Sequence, residues 1–264
     1  MSLTLKTPRE IDAMSNAGRV CSTLLEQLAI AAVPGATSVQ IDRLARRLIA
    51  DAGAVPILDG YVPAPGRPPF PGAVCVCINE EIVHAPPSPR IIREGDTVTL
   101  DLSVSVDGWC ADAAITVTMP GAAPEHAALA AATRECLAGA IAAIGPGVRW
   151  SDIAALVREH AGRAGLRPLA RYVGHGIGRK LHEAPRLPIV EAEVDAWRHS
   201  DGELIFRPGM VLTVEPILTP GDARTLELDD GWTAVTEDRT RTAHEERTIA
   251  ILASGTRDLT PVRA

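Results

Sequence analysis

The chain has 264 residues, 46% of them apolar and 22% charged, with a net charge of −7; this is the balance of a globular protein large enough for a full core, and it excludes disordered and fibrous classes. No run of Lys and Arg offers counter-charge to phosphates, which excludes nucleic acid as the main ligand, and neither a membrane span nor a secretion signal can be read. Aromatic residues make up only 3%, so the core is expected to be aliphatic and the few Trp, Tyr and Phe to sit where something special is required.

Thr7-Pro8-Arg9-Glu10 reads as a capping box with proline at the first helical position, followed by Ile11, Met14, Val20, Leu24 and Leu28 at helical spacing. Ser38 is expected to cap a second helix with Ile41, Leu44, Leu48 and Ile49 on one face. Pro34-Gly35 through Ala54 then realigns without a gap on Pro146-Gly147 through Leu166, and an Ala-rich helical stretch, 127–143, precedes the second copy. Shared amphipathic pattern alone explains some of these matches, but the repeated order of helix, Pro-Gly, helix and strands points to a duplicated unit. One domain is expected, with halves of roughly 1–120 and 121–264 around a central cleft.

Strands are predicted over 74–78, 98–106, 109–119, 211–217 and 248–252, each short, β-branched and bounded by turn residues. Because helices and strands come in blocks, the fold class is α+β. The Pro/Gly-rich stretch 62–72 reads as a stiff surface loop. Five cysteines, Cys21, Cys75, Cys77, Cys110 and Cys136, are odd in number and lack paired zinc spacing, so free thiols in a reducing, cytoplasmic setting are expected.

Residues 97–106 alternate strictly, apolar at even positions and Thr, Asp or Ser at odd ones, and Asp107-Gly108 is a two-residue hairpin signal. If Val106 pairs with Trp109, Ser103 faces Asp112, and Asp101 and Asp112 become diagonal neighbours about 7–8 Å apart at the backbone. An Asp pair on a polar strand face is usually solvated surface; this one has company in His175, His182, Glu215 and Glu246. Glu215 and Glu246 are read as mid-strand residues, where a charge is disfavoured unless something holds it. Four carboxylates and one imidazole would balance two divalent cations bridged by hydroxide, and such a donor set suits Mn²⁺, Fe²⁺, Co²⁺ or Zn²⁺. The glycines of 174–178 are read as letting the backbone pass close to the metals. His126, His160 and His199 are read as surface or packing residues.

Several segments together resemble the methionine aminopeptidases of type I, whose fold is called the pita-bread fold: Ile78-Asn79-Glu80 leading to His84, Asp101 with Asp112, 172–179 with His182, 208–216, Asp230-Gly231-Trp232-Thr233, and Glu246 with Thr248. The resemblance covers nearly the whole chain. It implies Asp101, Asp112, His175, Glu215 and Glu246 as ligands of two metal ions, with Glu215 also relaying a proton from the bridging water. It further implies His182 on the scissile carbonyl, His84 near the scissile nitrogen, and Cys75, Phe70, Tyr61 and Trp232 around the methionine side chain. The implied substrates are N-termini of peptides or nascent chains with a small second residue, and the implied state is a monomer. Departures from the family pattern fall at Ala85-Pro86-Pro87, Lys180-Leu181, Ile217 and Glu245-Glu246-Arg247, and bear on pocket shape. The competing enzyme reading is a proline-specific aminopeptidase of the same fold, although such relatives generally carry a further N-terminal domain and here the first catalytic-half helix starts by Thr7. The competing non-enzyme reading is a peptide-binding relative, which should have lost ligands.

Overall fold

In the computed structural model, which describes residues 3–262, the first helix, α1, spans Pro8–Ala31. Its entry is the expected capping box: the Thr7 hydroxyl accepts from the Glu10 amide while the Glu10 carboxylate accepts from the Thr7 amide at 2.8 Å. Helix α2, Ser38–Asp51, is capped one residue earlier than expected. Thr37 and Gln40 form the reciprocal pair, and Ser38 donates instead to the Ser88 carbonyl at 2.9 Å, so its hydroxyl ties the helix to a loop. Helices α3, Pro124–Ala143, and α4, Trp150–Arg163, form the second pair, and α5, Glu191–Asp201, is a short helix that the sequence reading did not include.

The internal repeat extends beyond helical pattern to hydrogen bonding. Gly35 and Gly147 both take positive φ, +94° and +86°, a conformation that glycine adopts without steric cost. Their amides donate to the carbonyls of Ile92 and Phe206, and isolated bridges pair Thr37 with Ile91 and Arg149 with Ile205. Two-residue strands, Val55–Pro56 and Arg167–Pro168, then follow α2 and α4.

Among the described residues, a nine-stranded antiparallel sheet runs in the order Val55–Pro56, Thr97–Val106, Trp109–Thr118, Glu246–Leu252, Val211–Val214, Gly174–Gly176, Glu183–Leu187. Cys75–Ile78 pairs with Thr97–Val106, and Gly255–Asp258 with Glu246–Leu252. The central hairpin has the predicted register without a bulge: Val106 faces Trp109 and Ser103 faces Asp112. Its dry face, with Val98, Leu100, Leu102 and Val104, packs under α1 and α2 against Leu25, Leu28, Ile41 and Ile49. On the other side of the seam Leu212, Val214, Ile249 and Ile251 pack with Leu137, Trp150, Ile153 and Val157 of α3 and α4. Each large aliphatic side chain so buried contributes about 1.5–3 kcal/mol. The two halves meet where Glu246–Leu252 pairs with Trp109–Thr118, Glu246 opposite Ala114.

One predicted strand is broken. Residues 211–217 split into Val211–Val214 and Ile217–Thr219, which lie in different sheets. Pro216 has no amide to donate, so pairing stops there and Glu215 stands at a strand end, not in mid-strand. Glu246 likewise opens its strand. Two three-stranded sheets complete the fold, one joining Ala243–His244, Ile217–Thr219 and Arg167–Pro168, the other Thr225–Glu227, Ala234–Thr236 and Glu81–Val83. No described helix is long and apolar enough to cross a membrane.

Candidate metal centre and substrate cleft

The polar face of the large sheet floors a cavity of about 950 Å³. Asp101 and Asp112 reach it from the first half, and His175, Glu215 and Glu246 from the second. One donor atom each from Asp112, His175 and Glu246 lie within 4.8 Å of one another. His175 Nε2 is 3.7 Å from Asp112 Oδ2 and 3.8 Å from Glu215 Oε2. Asp101 lines the same cavity and interacts electrostatically with Asp112 and Glu215.

These side chains are held by hydroxyls on neighbouring strands. Ser103 donates to Asp112 Oδ1 at 2.7 Å, the contact that the hairpin register creates. Thr213 donates to Glu215 Oε2 at 2.8 Å and accepts from the His175 amide, joining two of the candidate ligands through one residue. Thr248 donates to the Asp112 carbonyl at 2.8 Å and accepts from its amide, locking the seam between the halves. His175 Nδ1 lies 3.0 Å from the Gly176 carbonyl; since a carbonyl only accepts, the ring proton sits on Nδ1 and the Nε2 lone pair faces the carboxylates.

Electrostatically the cluster demands cations. Burial pushes all four carboxyls up, Asp112 and Glu215 to about 7 and Asp101 and Glu246 well above their ordinary value, with repulsion from neighbouring carboxylates adding to burial at Asp101, Glu215 and Glu246. Two carboxylates at under 4 Å favour an imidazolium, but burial and neighbouring His182 hold His175 down to about 3. A neutral nitrogen lone pair facing carboxylate oxygens is unfavourable unless a proton or a metal cation lies between them. Among the described residues no Lys or Arg pairs with the four carboxylates; nearby Arg134 and Arg247 turn to Glu245 instead. Glu246 Oε1 is buried without a hydrogen-bond partner, which is costly in a protein interior. Divalent metal ions fit this set of oxygen and imidazole donors.

Beside the floor, Phe70, Cys75, Cys77, Ala85 and Trp232 form an apolar cluster, with Tyr61 and Leu58 packed against it. The Phe70 and Trp232 rings meet edge to face at 5.1 Å. The Pro/Gly-rich loop therefore does more than cover the surface: it buries Phe70, and its tip is pinned by an Arg67 fork on Glu227 at 2.7 Å. At two of the glycines of 174–178 the neighbouring backbone comes close. A Cβ on Gly174 would meet the Thr213 carbonyl oxygen at 2.5 Å and one on Gly176 would strike that of Ala184, so these glycines admit neighbouring backbone.

His182 and His84 both line the cavity and are exposed to it. His182 stands 4.4 Å from His175, ring to ring, and shares a 2.7 Å hydrogen bond with Tyr61 through Nδ1. His84 packs edge to face against Tyr172 and Trp232, and the surrounding cleft walls lower it to about 4. His126, His160 and His199 are absent from the lining. The sequence reading missed His244, which is buried in the cavity wall with its Nε2 3.8 Å from Glu246 and neither ring nitrogen hydrogen-bonded. The signal was a His-x-Glu spacing that sets both side chains toward one cleft.

Residues 12–252 match the model of metallopeptidase family M24. The chain is 38% identical to methionine aminopeptidase 1 of Mycobacterium tuberculosis, with 95% of this chain and 92% of that protein covered, and 35% identical to methionine aminopeptidase of Aquifex aeolicus, with 97% of each covered. Its fold superposes on the crystal structure of methionine aminopeptidase from Thermotoga maritima with a TM-score of 0.89 at 35% identity, covering 98% of this chain and 99% of that one. A cleft whose donors need divalent cations, in a chain matched this fully, places the protein in metallopeptidase family M24.

Proposed function

We propose that the protein removes N-terminal methionine from peptides or nascent chains and prefers a small second residue. The observation that carries this reading is the pairing of a five-donor centre, to which no Lys or Arg among the described residues is paired, with an apolar side pocket of Phe70, Cys75 and Trp232. A thioether is flexible and makes good contacts with aromatic rings, so the side pocket suits methionine.

Asp101, Asp112, His175, Glu215 and Glu246 would hold two ions from among Mn²⁺, Fe²⁺, Co²⁺ and Zn²⁺. When bound, such a pair supplies an activated water and polarises the scissile carbonyl. Glu215, held on Thr213, takes the proton from the attacking water and passes it toward the leaving amine. His182 donates to the oxygen on which negative charge develops, and His84 contacts the substrate near the scissile nitrogen. Lys180 and Leu181 line the same cavity, where a bulky second side chain would meet them. The five buried free thiols support a reducing, cytoplasmic setting.

The test measures kcat/KM on Met-Ser, Met-Ala, Met-Leu, Leu-Ala and Ala-Pro peptides, before and after chelation and metal restoration. Met-Ser and Met-Ala should be cleaved fastest, and only with metal. Faster cleavage of Ala-Pro would transfer the protein to the proline-specific reading, and full activity in metal-free protein would overturn the mechanism.

A further inference from the structure

The chain is acidic overall, yet the short segment 171–186 holds Arg171, Arg179, Lys180 and Arg186 against a single acid, Glu183. All four cations line the cavity and all four are exposed, which places them at its mouth. Glu183 cannot neutralise them, because Lys6 already pairs with it at 2.7 Å and the amides of Arg179 and Lys180 donate to its other oxygen. Arg179 is held in place by stacking 3.7 Å over Trp109 and by donating to the Asp107 carbonyl, contacts that orient a guanidinium without cancelling its charge. The other three form no ion pair or side-chain hydrogen bond among the described residues. Arg67, the remaining cation of the cavity wall, is by contrast matched by a carboxylate fork, as Arg46, Arg90 and Arg224 are matched to carboxylates elsewhere.

Deep in the cleft two divalent ions would offset the four carboxylates, which would leave this rim as the main charge at the mouth of the loaded protein. A chain whose first residue sits in the Phe70–Trp232 pocket would leave through the same cavity that these cations border. We infer that the rim recognises acidic side chains a few positions downstream of the methionine, so that the favoured substrates are methionine-initiated chains with an acidic leader; this rests on the proposed function. Single exposed charge pairs are weak, but a cleft lined by one sign focuses the field and raises the local concentration of a complementary ligand. These cations do not touch the reacting atoms, so the effect belongs in KM and not in kcat.

The experiment compares metal-loaded full-length protein on Met-Ala-Ser-Gly peptides extended by three Asp, three Ser or three Lys. At low ionic strength the Asp peptide should exceed the Lys peptide in kcat/KM by roughly tenfold, through KM, and the gap should close at about 0.5 M salt as screening shortens. Arg171→Glu with Arg186→Glu leaves two cations, Arg179 and Lys180, against two new acids, and should abolish the preference while leaving the Ser peptide unchanged. Equal kcat/KM for the three peptides, or a preference undiminished by salt, overturns the inference alone, and the salt series decides it even if the double variant does not fold. Inhibition by a single-stranded RNA oligonucleotide while the three peptides are cleaved alike assigns the rim to nucleic acid and overturns it too. Failure to cleave even the Ser peptide overturns the proposed function and this inference together.

Discussion

Tyr61 and His182 share a proton, and which of them donates decides what His182 can offer to a substrate. Burial raises the Tyr61 phenol and lowers the His182 imidazole, so near neutral pH the phenol keeps its proton and the ring is uncharged. Tyr61 then donates to Nδ1, and the ring's own proton must sit on Nε2, the nitrogen free to face a carbonyl oxygen. Losing one such donor costs on the order of 10²–10³ in kcat, and that is the expectation for His182→Ala with metal content unchanged. Tyr61→Phe keeps the ring and loses only the tautomer bias, so it should cost less, about tenfold, again in kcat. A Tyr61→Phe variant that changes KM alone would assign Tyr61 to the pocket wall and not to His182. The Tyr61–His182 partnership could not be read from sequence, because 121 residues separate them and only the folded loop brings them together.

At the scale of elements, what was legible followed from local rules. Thr7, Pro8 and Glu10 announce α1, and the Asp107-Gly108 turn sets the register that places Ser103 on Asp112. What was not legible depended on neighbours distant in sequence: the strand break at Pro216 looked like one continuous β-branched run, and the glycines of 174–178 gave no hint of which backbone would approach them. Their role makes a prediction. In Gly176→Ala the new methyl would strike the Ala184 carbonyl, a backbone atom that cannot swing aside, so the variant should lose about 1–3 kcal/mol by overpacking. Gly162 in α4 is exposed with nothing within 4 Å of an added Cβ, and Gly162→Ala should gain about 0.5–1 kcal/mol from helix propensity. Urea midpoints should move in opposite directions for the two variants; a Gly176→Ala protein as stable as its parent would refute the close approach.

Across the whole molecule the two halves meet through a cluster of like charges. The hairpin of the first half presents Asp101 and Asp112, the second half presents Glu215 and Glu246, and Thr248 fastens the seam at Asp112. In the unfolded chain these carboxyls titrate near pH 4; in the metal-free fold burial, joined by repulsion at all but Asp112, raises Asp112 and Glu215 to about 7 and the other two well above the ordinary range. A raised carboxyl means that the folded state holds protons the unfolded state has released, so the metal-free fold loses stability as pH rises from about 4 through the folded values. His84, His175, His182 and His244, all lowered by loss of solvation within the cleft and its walls, act in the opposite sense, since the unfolded chain binds more protons at those rings through about pH 6.5. Below that pH the two sets oppose each other; above it the histidine contribution fades within about one pH unit while the carboxyls still titrate. Calorimetry of chelated protein should therefore show Tm falling between about pH 6.5 and 8. Metal-loaded protein should stay flat over the same range, because cations that bind the folded carboxylates remove the repulsion and add their own binding free energy to stability. The gap between the two Tm curves should widen as pH rises, and parallel curves would mean that the four carboxylates do not converge on shared cations.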